Sequence, residues 1–373
     1  MCRWHDVLVE ARTPVYLGVL GPIAEQLALR PDVTVWYTSE YPDRIKGLVP
    51  DGRFVTHRQA AFRHFSLYMN ADPWAAARLR RCEYRVNFFH GVAGKYDLDQ
   101  PSGLPMGFDV YDRVGFINHD RMKRYLEAEI VSSTQAALVG YPKLDRLATG
   151  GFDAVAYRTS LGLEPARPTA VYSPTYSKAS SLHLAGEAIV RALAAAGFNV
   201  IVKLHDRSLD LDPRYNDGID WRQRFCAVER SERVRFVETT DASPALAASD
   251  VMVTDHSSIG FEYLLLDRPL IVFDTPDLTS VARINPEKVA LLRSAATVAG
   301  SPEETAILAQ REIADPLRLS ERRRAVANEM FYRPGSATQR AVALIDALLA
   351  HRAEPAPVKQ PHEREAAAGD LPS

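Results

Sequence analysis

The sequence has little cysteine, no excess of charge of either sign and no long hydrophobic run. Only three cysteines occur in 373 residues, Cys2, Cys82 and Cys226, and no two of them are close together. This count supports neither a zinc site built on thiolates nor a disulfide framework, and it fits a reducing, cytosolic location. The 45 Lys and Arg residues are matched by 47 Asp and Glu residues, so the formal net charge is -2. The chain as a whole therefore lacks the positive charge with which proteins hold nucleic acid.

No stretch approaches the roughly 18 uncharged apolar residues of a membrane-spanning helix. The first residues carry charges, among them Arg3, Asp6, Glu10 and Arg12, where a signal peptide needs an unbroken apolar run. We therefore expect neither a standard secretion signal nor a membrane span.

The length and composition favour two globular domains. Hydrophobic residues make up 46% of the 373 residues, which is enough to fill two cores of ordinary size. Gly150 and Gly151 begin a segment rich in turn residues, so we predict an N-terminal domain at 1–150 and a second domain at 151–351. Residues 352–373 contain four prolines, many charges and no aromatic residue, and we predict a disordered tail there.

Short apolar runs alternate with helical patterns along both halves. Strands are predicted at Asp6–Ala11, Val33–Thr38, Phe65–Asn70, Tyr84–Phe89, Val114–Asn118, Ala136–Gly140, Thr169–Ser173, Asn199–Leu204, Val234–Val237, Val251–Thr254 and Pro269–Phe273. Helices are predicted at Gly21–Arg30, Asp120–Glu129, Leu182–Ala196, Ser243–Ala248 and Ser257–Leu266. Unbroken apolar strands with helices between them indicate an α/β fold with parallel sheets covered on both faces. Ligands of such sheets bind beyond the carboxyl ends of the strands.

Polar residues follow several strands of the second half. Ser257 and Ser258 stand at a predicted helix N-terminus, where free N–H groups and the helix dipole favour an anion such as a phosphate or diphosphate. A serine at this position is also a common helix cap. Glu262, one turn further on, is placed to accept hydrogen bonds from ribose hydroxyls, although an acid near a helix N-terminus is also favoured by the dipole alone.

In the first half, His90 follows a predicted strand and leads into a glycine-rich turn. A histidine there is well placed as a general base, since its usual pKa lies near neutral pH. Gly91 lets the backbone approach a ligand, and Lys95 supplies a counter-charge to phosphate. A lone histidine is more often a packing residue; the glycines and Lys95 favour the functional interpretation.

These residues belong to a longer series of motifs between about residues 84 and 345. The series is His90-Gly91…Lys95, Gly140-Tyr141-Pro142-Lys143-Leu144-Asp145, Tyr172-Ser173-Pro174-Thr175, Lys203-Leu204-His205, Thr254-Asp255-His256-Ser257-Ser258…Glu262 and Gly335-Ser336-Ala337-Thr338…Arg340. In this order the motifs resemble those of the CDP-glycerol glycerophosphotransferases, the family of teichoic-acid primases and polymerases. The sequence departs from the family pattern at Val92-Ala93, where the family has Thr-Pro, at Lys143 (Arg), at His256 (Tyr) and at Glu262 (Asp).

The resemblance implies a GT-B-like fold, in which two Rossmann-like domains with parallel sheets face each other across a cleft. It implies transfer of glycerol phosphate, or of a related alditol phosphate, from a CDP-linked donor to an acceptor hydroxyl, with release of CMP, in the synthesis of a cell-surface polymer such as teichoic acid or capsule. His90 and His205 are then the catalytic residues. The implied donor site consists of Gly91, Lys95, Lys143, Pro174, Thr175, Lys203, Leu204, Ser257, Ser258 and Glu262.

The resemblance implies a lipid- or glycan-linked acceptor, and we expect no cofactor, no metal site and no nucleic-acid partner. We expect a cytoplasmic protein with peripheral contact at the inner face of the cell membrane, although the chain has no strongly basic amphipathic helix to anchor it. Two alternatives stay open. One is a GT-B glycosyltransferase or epimerase that uses a UDP-sugar, and the other is a non-catalytic nucleotide-binding scaffold of a polysaccharide assembly complex.

Overall fold

The first half of the chain builds one parallel sheet. The computed structural model describes residues 4–71, 81–91, 107–212, 217–228, 233–282 and 284–350. The first six strands are β1 (His5–Glu10), β2 (Val33–Thr38), β3 (Phe65–Asn70), β4 (Cys82–Phe88), β5 (Arg113–Phe116) and β6 (Ala136–Leu138). They form a six-stranded sheet in the order β2-β1-β3-β4-β5-β6, with every neighbouring pair parallel. All six were expected from their apolar runs; β2 and β3 have the predicted ends, and the ends of the other four differ from the prediction by at most two residues.

The described residues of this half contain six α-helices. They are α1 (Pro14–Ala28), α2 (Pro42–Ile45), α3 (His57–Phe62), α4 (His119–Glu127), α5 (Asp145–Ala148) and α6 (Ala154–Ser160). The predicted start of the first helix at Gly21 is wrong, because α1 begins at Pro14 and continues through Pro22. A proline inside a helix removes the hydrogen bond to the carbonyl four residues earlier, here that of Gly18. Val19, Leu20, Ile23 and Leu27 are fully buried on this helix, so its packing on the sheet offsets that loss.

The second half repeats the plan. Its strands are β7 (Thr169–Tyr172), β8 (Asn199–Val202), β9 (Val234–Phe236), β10 (Val251–Thr254), β11 (Leu270–Phe273) and β12 (Thr297–Ala299). Their order in a second six-stranded parallel sheet is β12-β11-β10-β7-β8-β9. Sequence analysis did not predict β12, which has only three residues and no apolar run that sets it apart from a loop.

The described residues of the second half contain nine α-helices. They are α7 (Ser181–Ala195), α8 (Trp221–Val228), α9 (Ser243–Ala247), α10 (Ser258–Tyr263), α11 (Leu278–Val281), α12 (Pro286–Ser294), α13 (Pro302–Ala314), α14 (Ser320–Met330) and α15 (Ala337–Ala350). The helix predicted at Ser257–Leu266 is shorter than expected, since α10 ends at Tyr263 and a single 3-10 turn, Leu264–Leu266, follows it. Among the described residues, no helix is long and apolar enough to cross a membrane.

The final helix, α15, returns to the first half of the chain. Its N-terminus is held by the carboxylate of Asp145, which accepts hydrogen bonds from the backbone N–H groups of Ala337 at 2.9 Å and Thr338 at 2.6 Å. Ile345 and Leu348 on α15 are buried in the same core as α1. This packing ties the end of the described chain to its first sheet; the domain limits at residues 150 and 351 stay a prediction.

Candidate functional site

An ion pair joins the two halves of the molecule at the carboxyl ends of the sheets. Lys143 lies on the short turn Pro142–Leu144 after β6, and its Nζ is 2.8 Å from both carboxylate oxygens of Glu262 on α10. The two side chains are only 16% and 5% exposed. Burial lowers the pKa of Lys143, but the charge and hydrogen bonds of Glu262 outweigh it and raise the pKa above its usual value, so the lysine stays charged. Two residues predicted to bind the donor are thus brought into direct contact.

His90 follows β4 and is held by a backbone carbonyl. Its ring Nδ1 lies 2.8 Å from the carbonyl oxygen of Ala71, and its ring packs 4.5 Å from that of Tyr16 on α1. Because a carbonyl oxygen only accepts hydrogen bonds, Nδ1 carries the proton in the neutral ring and Nε2 carries the lone pair. This is the tautomer that a base acting through Nε2 requires.

The turn after His90 is fixed from two sides. Gly91 has a φ of +75°, which favours glycine. Its N–H donates to the hydroxyl of Tyr141 at 3.2 Å, and its carbonyl accepts from Arg121 Nη1 at 3.1 Å. Burial raises the pKa of Tyr141, so this phenol stays protonated. Sequence analysis missed Arg121, which lies in the first turn of α4 and is recognisable only as one of several charged residues there. Lys95 lies outside the described residues.

In the second half, Asp255 organises the ends of β7 and β10. Its carboxylate accepts a hydrogen bond from the N–H of Thr175 at 2.9 Å and from the N–H and hydroxyl of Ser181, each at 3.0 Å. Asp255 is fully buried, and Thr175 is 2% exposed. This carboxylate therefore fixes the loop that carries Pro174 and Thr175 and the start of α7. Sequence analysis quoted Asp255 as part of a motif but gave it no role.

Lys203 is a buried cation next to these strand ends. It is 5% exposed, and its Nζ donates to the carbonyl of Leu204 at 2.5 Å. Burial lowers its pKa, and this outweighs the opposing negative charge of Asp206; the positive charge of Lys143 lowers the pKa further. In the described part of the chain no carboxylate lies within salt-bridge distance of Lys203. A buried cation that no carboxylate contacts directly is suited to a negatively charged ligand.

His205 is exposed, in contrast to Lys203. Its ring lies 4.5 Å from that of Tyr176, and its Nδ1 accepts a hydrogen bond from the N–H of Arg207 at 3.1 Å. Arg207 in turn lies over the Tyr176 ring at 5.1 Å. Because β8 neighbours β7 in the sheet, His205 and Tyr176 come from adjacent strand ends. Sequence analysis predicted His205 and missed Tyr176 and Arg207, which carry no motif.

Ser257 occupies the N-cap position of α10, but its side chain makes no capping hydrogen bond. Ser258 is the first residue of that helix and is partly exposed, like Ser257. The capping role, which is the common structural explanation for such a serine, is therefore not the one the Ser257 hydroxyl performs.

His256, where the family has tyrosine, is 6% exposed, and its Nδ1 has no hydrogen-bond partner among the described residues. Burial and, to a smaller extent, the nearby Arg293 lower its pKa to about 4, so the ring is neutral at pH 7. Arg293 is itself paired with Asp274 at 2.7 Å. Within the described residues, no group of three or more His, Cys, Asp or Glu side chains is placed to hold a metal ion.

The sequence matches the model of one protein family over more than half of its length. A family model described as CDP-glycerol:poly(glycerophosphate) glycerophosphotransferase matches residues 117–345, which is more than half of the chain. The comparison with curated proteins found no match.

Among solved structures, the chain is similar to the wall teichoic acid polymerase TagF, with 17% sequence identity and a TM-score of 0.65 over 93% of this chain and 89% of that one. A TagF variant soaked with CDPG gives 16% identity and a TM-score of 0.68 over 94% and 90% of the two chains. UDP-GlcNAc 2-epimerase from Neisseria meningitidis, bound to UDP-GlcNAc, gives 13% and 0.60 over 92% and 100%. At these identities the similarity establishes the fold, and the predicted GT-B-like α/β architecture is confirmed.

Proposed function

The chain belongs to the CDP-glycerol:poly(glycerophosphate) glycerophosphotransferase family, and we propose that it transfers glycerol phosphate, or a related alditol phosphate, from a CDP-linked donor to an acceptor hydroxyl. The observation that carries this proposal is the position of Lys203. This buried lysine follows β8 at the carboxyl end of the second sheet, where the charges of Lys143 and Glu262 act on it, and no carboxylate of the described residues lies within salt-bridge distance of it. A diphosphate is the kind of ligand that supplies the missing negative charge.

His90 is the base of the proposed reaction. With its Nδ1 proton directed at Ala71, its Nε2 accepts the proton of the acceptor hydroxyl. The acceptor oxygen then attacks the β-phosphorus of the donor, and the bond from that phosphorus to the oxygen bridging the two phosphates breaks. CMP leaves with this oxygen, and the phosphodiester product keeps the glycerol.

The second half, together with Lys143 of the first half, stabilises the negative charge that develops on the departing CMP. Lys203 and Lys143 supply positive charge, while Ser257, Ser258 and Thr175 donate hydrogen bonds. His205 lies at the same carboxyl end of the second sheet, and in the proposed reaction it contacts the diphosphate rather than the acceptor. Pro174 and Leu204 shape the loops through their backbone, as the contact between Lys203 Nζ and the Leu204 carbonyl illustrates.

Glu262 keeps its proposed role in binding the ribose of the donor. Each carboxylate oxygen has more than one lone pair, so the contacts with Lys143 leave acceptor capacity for the ribose hydroxyls. In this arrangement the ion pair orients the carboxylate before the donor binds. The proposal also includes a lipid- or glycan-linked acceptor and a cytoplasmic enzyme that contacts the inner face of the membrane from its periphery.

The donor is tested by binding and by product. CDP-glycerol at about 100 times its Kd should add about 2.7 kcal/mol to the free energy of unfolding, and UDP-GlcNAc at the same concentration should add much less. Turnover should release CMP. Release of UDP would replace the proposal with a UDP-sugar enzyme, and tight binding of CDP-glycerol without turnover on any acceptor would indicate a scaffold.

The role of His90 is tested by His90→Asn, which retains a group able to donate to Ala71. We expect kcat to fall by a factor of about 10² to 10⁴ with the donor Kd nearly unchanged. His64→Asn is the matched control, because His64 is a surface histidine of the same half whose side chain is 59% exposed and faces Glu83. A folded His90→Asn enzyme with wild-type kcat would contradict the assignment.

A further inference from the structure

A row of four buried polar side chains crosses the first sheet at one level. Thr38, Glu10, Asn70 and Asn87 are aligned in register on β2, β1, β3 and β4. Each is at most 2% exposed. In-register residues of neighbouring parallel strands point to the same face of the sheet. All four precede the residues matched by the family model, so no motif accounts for them.

Three of these residues join a directional hydrogen-bond network. Asn70 Oδ1 accepts from Asn87 Nδ2 at 2.9 Å and from the hydroxyl of Tyr111 at 2.8 Å. Asn70 Nδ2 donates to the hydroxyl of Tyr68 at 2.9 Å, and this hydroxyl donates to Glu10 Oε2. Every donor in the series points toward the carboxylate of Glu10, whose other oxygen lies 2.8 Å from His57 Nε2.

Such a network is costly to bury, since each polar group leaves water, and the sheet itself does not require it. The second sheet shows that buried parallel strands can be mostly apolar, because three of the four residues of β8 (Val200, Ile201 and Val202) and of β10 (Val251, Met252 and Val253) are apolar and fully buried. What the network provides is a single fixed arrangement of the ends of β1, β3 and β4.

The end of β3 leads directly to the group that holds His90. Ala71 is the residue after Asn70, and its carbonyl oxygen is the partner of His90 Nδ1 at 2.8 Å. Asn70 is bonded on one side to β4, which carries His90, and on the other side to Glu10 through Tyr68. We propose that this network positions His90, with Asn70 and Tyr68 as positioning residues that hold the Ala71 carbonyl where it selects the Nδ1–H tautomer. The inference rests on the proposed role of His90 only for its kinetic consequence.

The tautomer itself is the first readout. In the full-length protein labelled with ¹⁵N-histidine, the His90 signals are identified by their absence from His90→Asn. We expect wild-type His90 to show the two well-separated ring nitrogen shifts of one neutral tautomer, with the proton on Nδ1. Tyr68→Phe and Asn70→Leu should each move these shifts toward the average of the two tautomers.

Thr38→Val is the matched control. Thr38 is a fully buried member of the same row, but within the part of the chain that the structure describes its hydroxyl has no hydrogen-bond partner, so its loss breaks none of the network's bonds. The His90 signals of this variant should match those of the wild type. If Asn70→Leu does not fold, Tyr68→Phe alone decides the outcome, because it removes one hydroxyl and keeps the ring.

Turnover is the second readout. We expect Tyr68→Phe to lower kcat by about 10- to 100-fold, the scale of a misplaced catalytic group, with the donor Kd unchanged and Thr38→Val at the wild-type rate. Unchanged His90 signals in both network variants would overturn the proposal. Altered signals with an unchanged kcat would leave the positioning intact and instead contradict the function proposed for His90.

Discussion

The Lys143–Glu262 ion pair links the two halves, and removing either partner should destabilise the molecule. Breaking a buried pair from one side leaves the other charge buried and costs about 3–5 kcal/mol, whereas removing both partners costs much less. Glu262 is 5% exposed and Lys143 is 16% exposed, so we expect the lower end of that range, about 3 kcal/mol. Because the pKa of Lys143 is raised, the lysine is fully charged in the wild type at working pH.

The experiment is a double-mutant cycle on the protein without donor, with Glu262→Gln, Lys143→Met and the double variant. A loss of about 3 kcal/mol corresponds to a fall in Tm of about 6–12 °C for a unit of 150–250 residues. Each single variant should show this fall, and the double variant should lose about 1 kcal/mol or less. Thermal unfolding monitored by calorimetry measures all four proteins.

Two further variants sharpen the cycle. Glu287→Gln removes the Arg124–Glu287 pair, which also links the halves but whose side chains are 31% and 76% exposed, and it should cost less than about 1 kcal/mol. Lys143→Arg combined with Glu262→Asp restores both family residue types at once and should lie closer to the wild type than either substitution alone. Single-variant losses that simply add in the double variant would refute the reasoning, because they would show that the two charges are not coupled.

Other outcomes follow from the donor half. The double variant Ser257→Ala, Ser258→Ala should weaken donor binding by at most about 1.5–3 kcal/mol for each hydrogen bond lost to the charged diphosphate. Its Tm should change little, because Ser257 makes no capping hydrogen bond. An unchanged donor affinity, measured by calorimetry, would show that neither serine binds the donor. His205→Ala should lower donor affinity as well as kcat at unchanged Tm, since the ring is exposed; an unchanged Kd would argue against diphosphate contact. His256, with its pKa lowered to about 4 by burial, should lose stability as pH falls from about 6.5 toward 4. By pH 5 this amounts to up to about 2 kcal/mol relative to pH 7.5, and His256→Gln should lack that component; identical pH dependence of unfolding in the two proteins would contradict it.

Eleven of the twelve described strands, all except β12, are predicted from the sequence because each of them is an apolar run that can be recognised without knowledge of distant residues. Val251–Thr254 is an example, since the prediction and the observed β10 coincide. The start of α1 was missed for the opposite reason. Local rules place Pro22 at the beginning of a helix, and only the buried face formed with the sheet keeps the helix intact through it.

The sequence predicts many of the residues of the candidate site but not which of them contact each other. Lys143 and Glu262 were both expected to bind the donor, but their mutual ion pair joins residues 119 positions apart. Asp145 is a second example: the sequence shows it only as part of a motif, whereas in the structure it accepts a hydrogen bond from the N-terminus of α15, 192 positions further on. Gly140, in the same motif as Asp145, also packs closely against a distant segment, since a Cβ there would lie 2.6 Å from the carbonyl oxygen of Tyr332. Such long-range partners are set by the folded chain and leave no local pattern.

The return of α15 to the first half has a consequence for biosynthesis. The last strand of the first sheet ends at Leu138, but the helix that completes its core begins only at Ala337, roughly 200 residues later. At about 5–20 residues per second, a ribosome needs roughly 10–40 s to make that stretch. During this interval the nascent first half exposes the apolar surface that α15 later covers, so we expect that surface to be open to chaperones until α15 has left the ribosome.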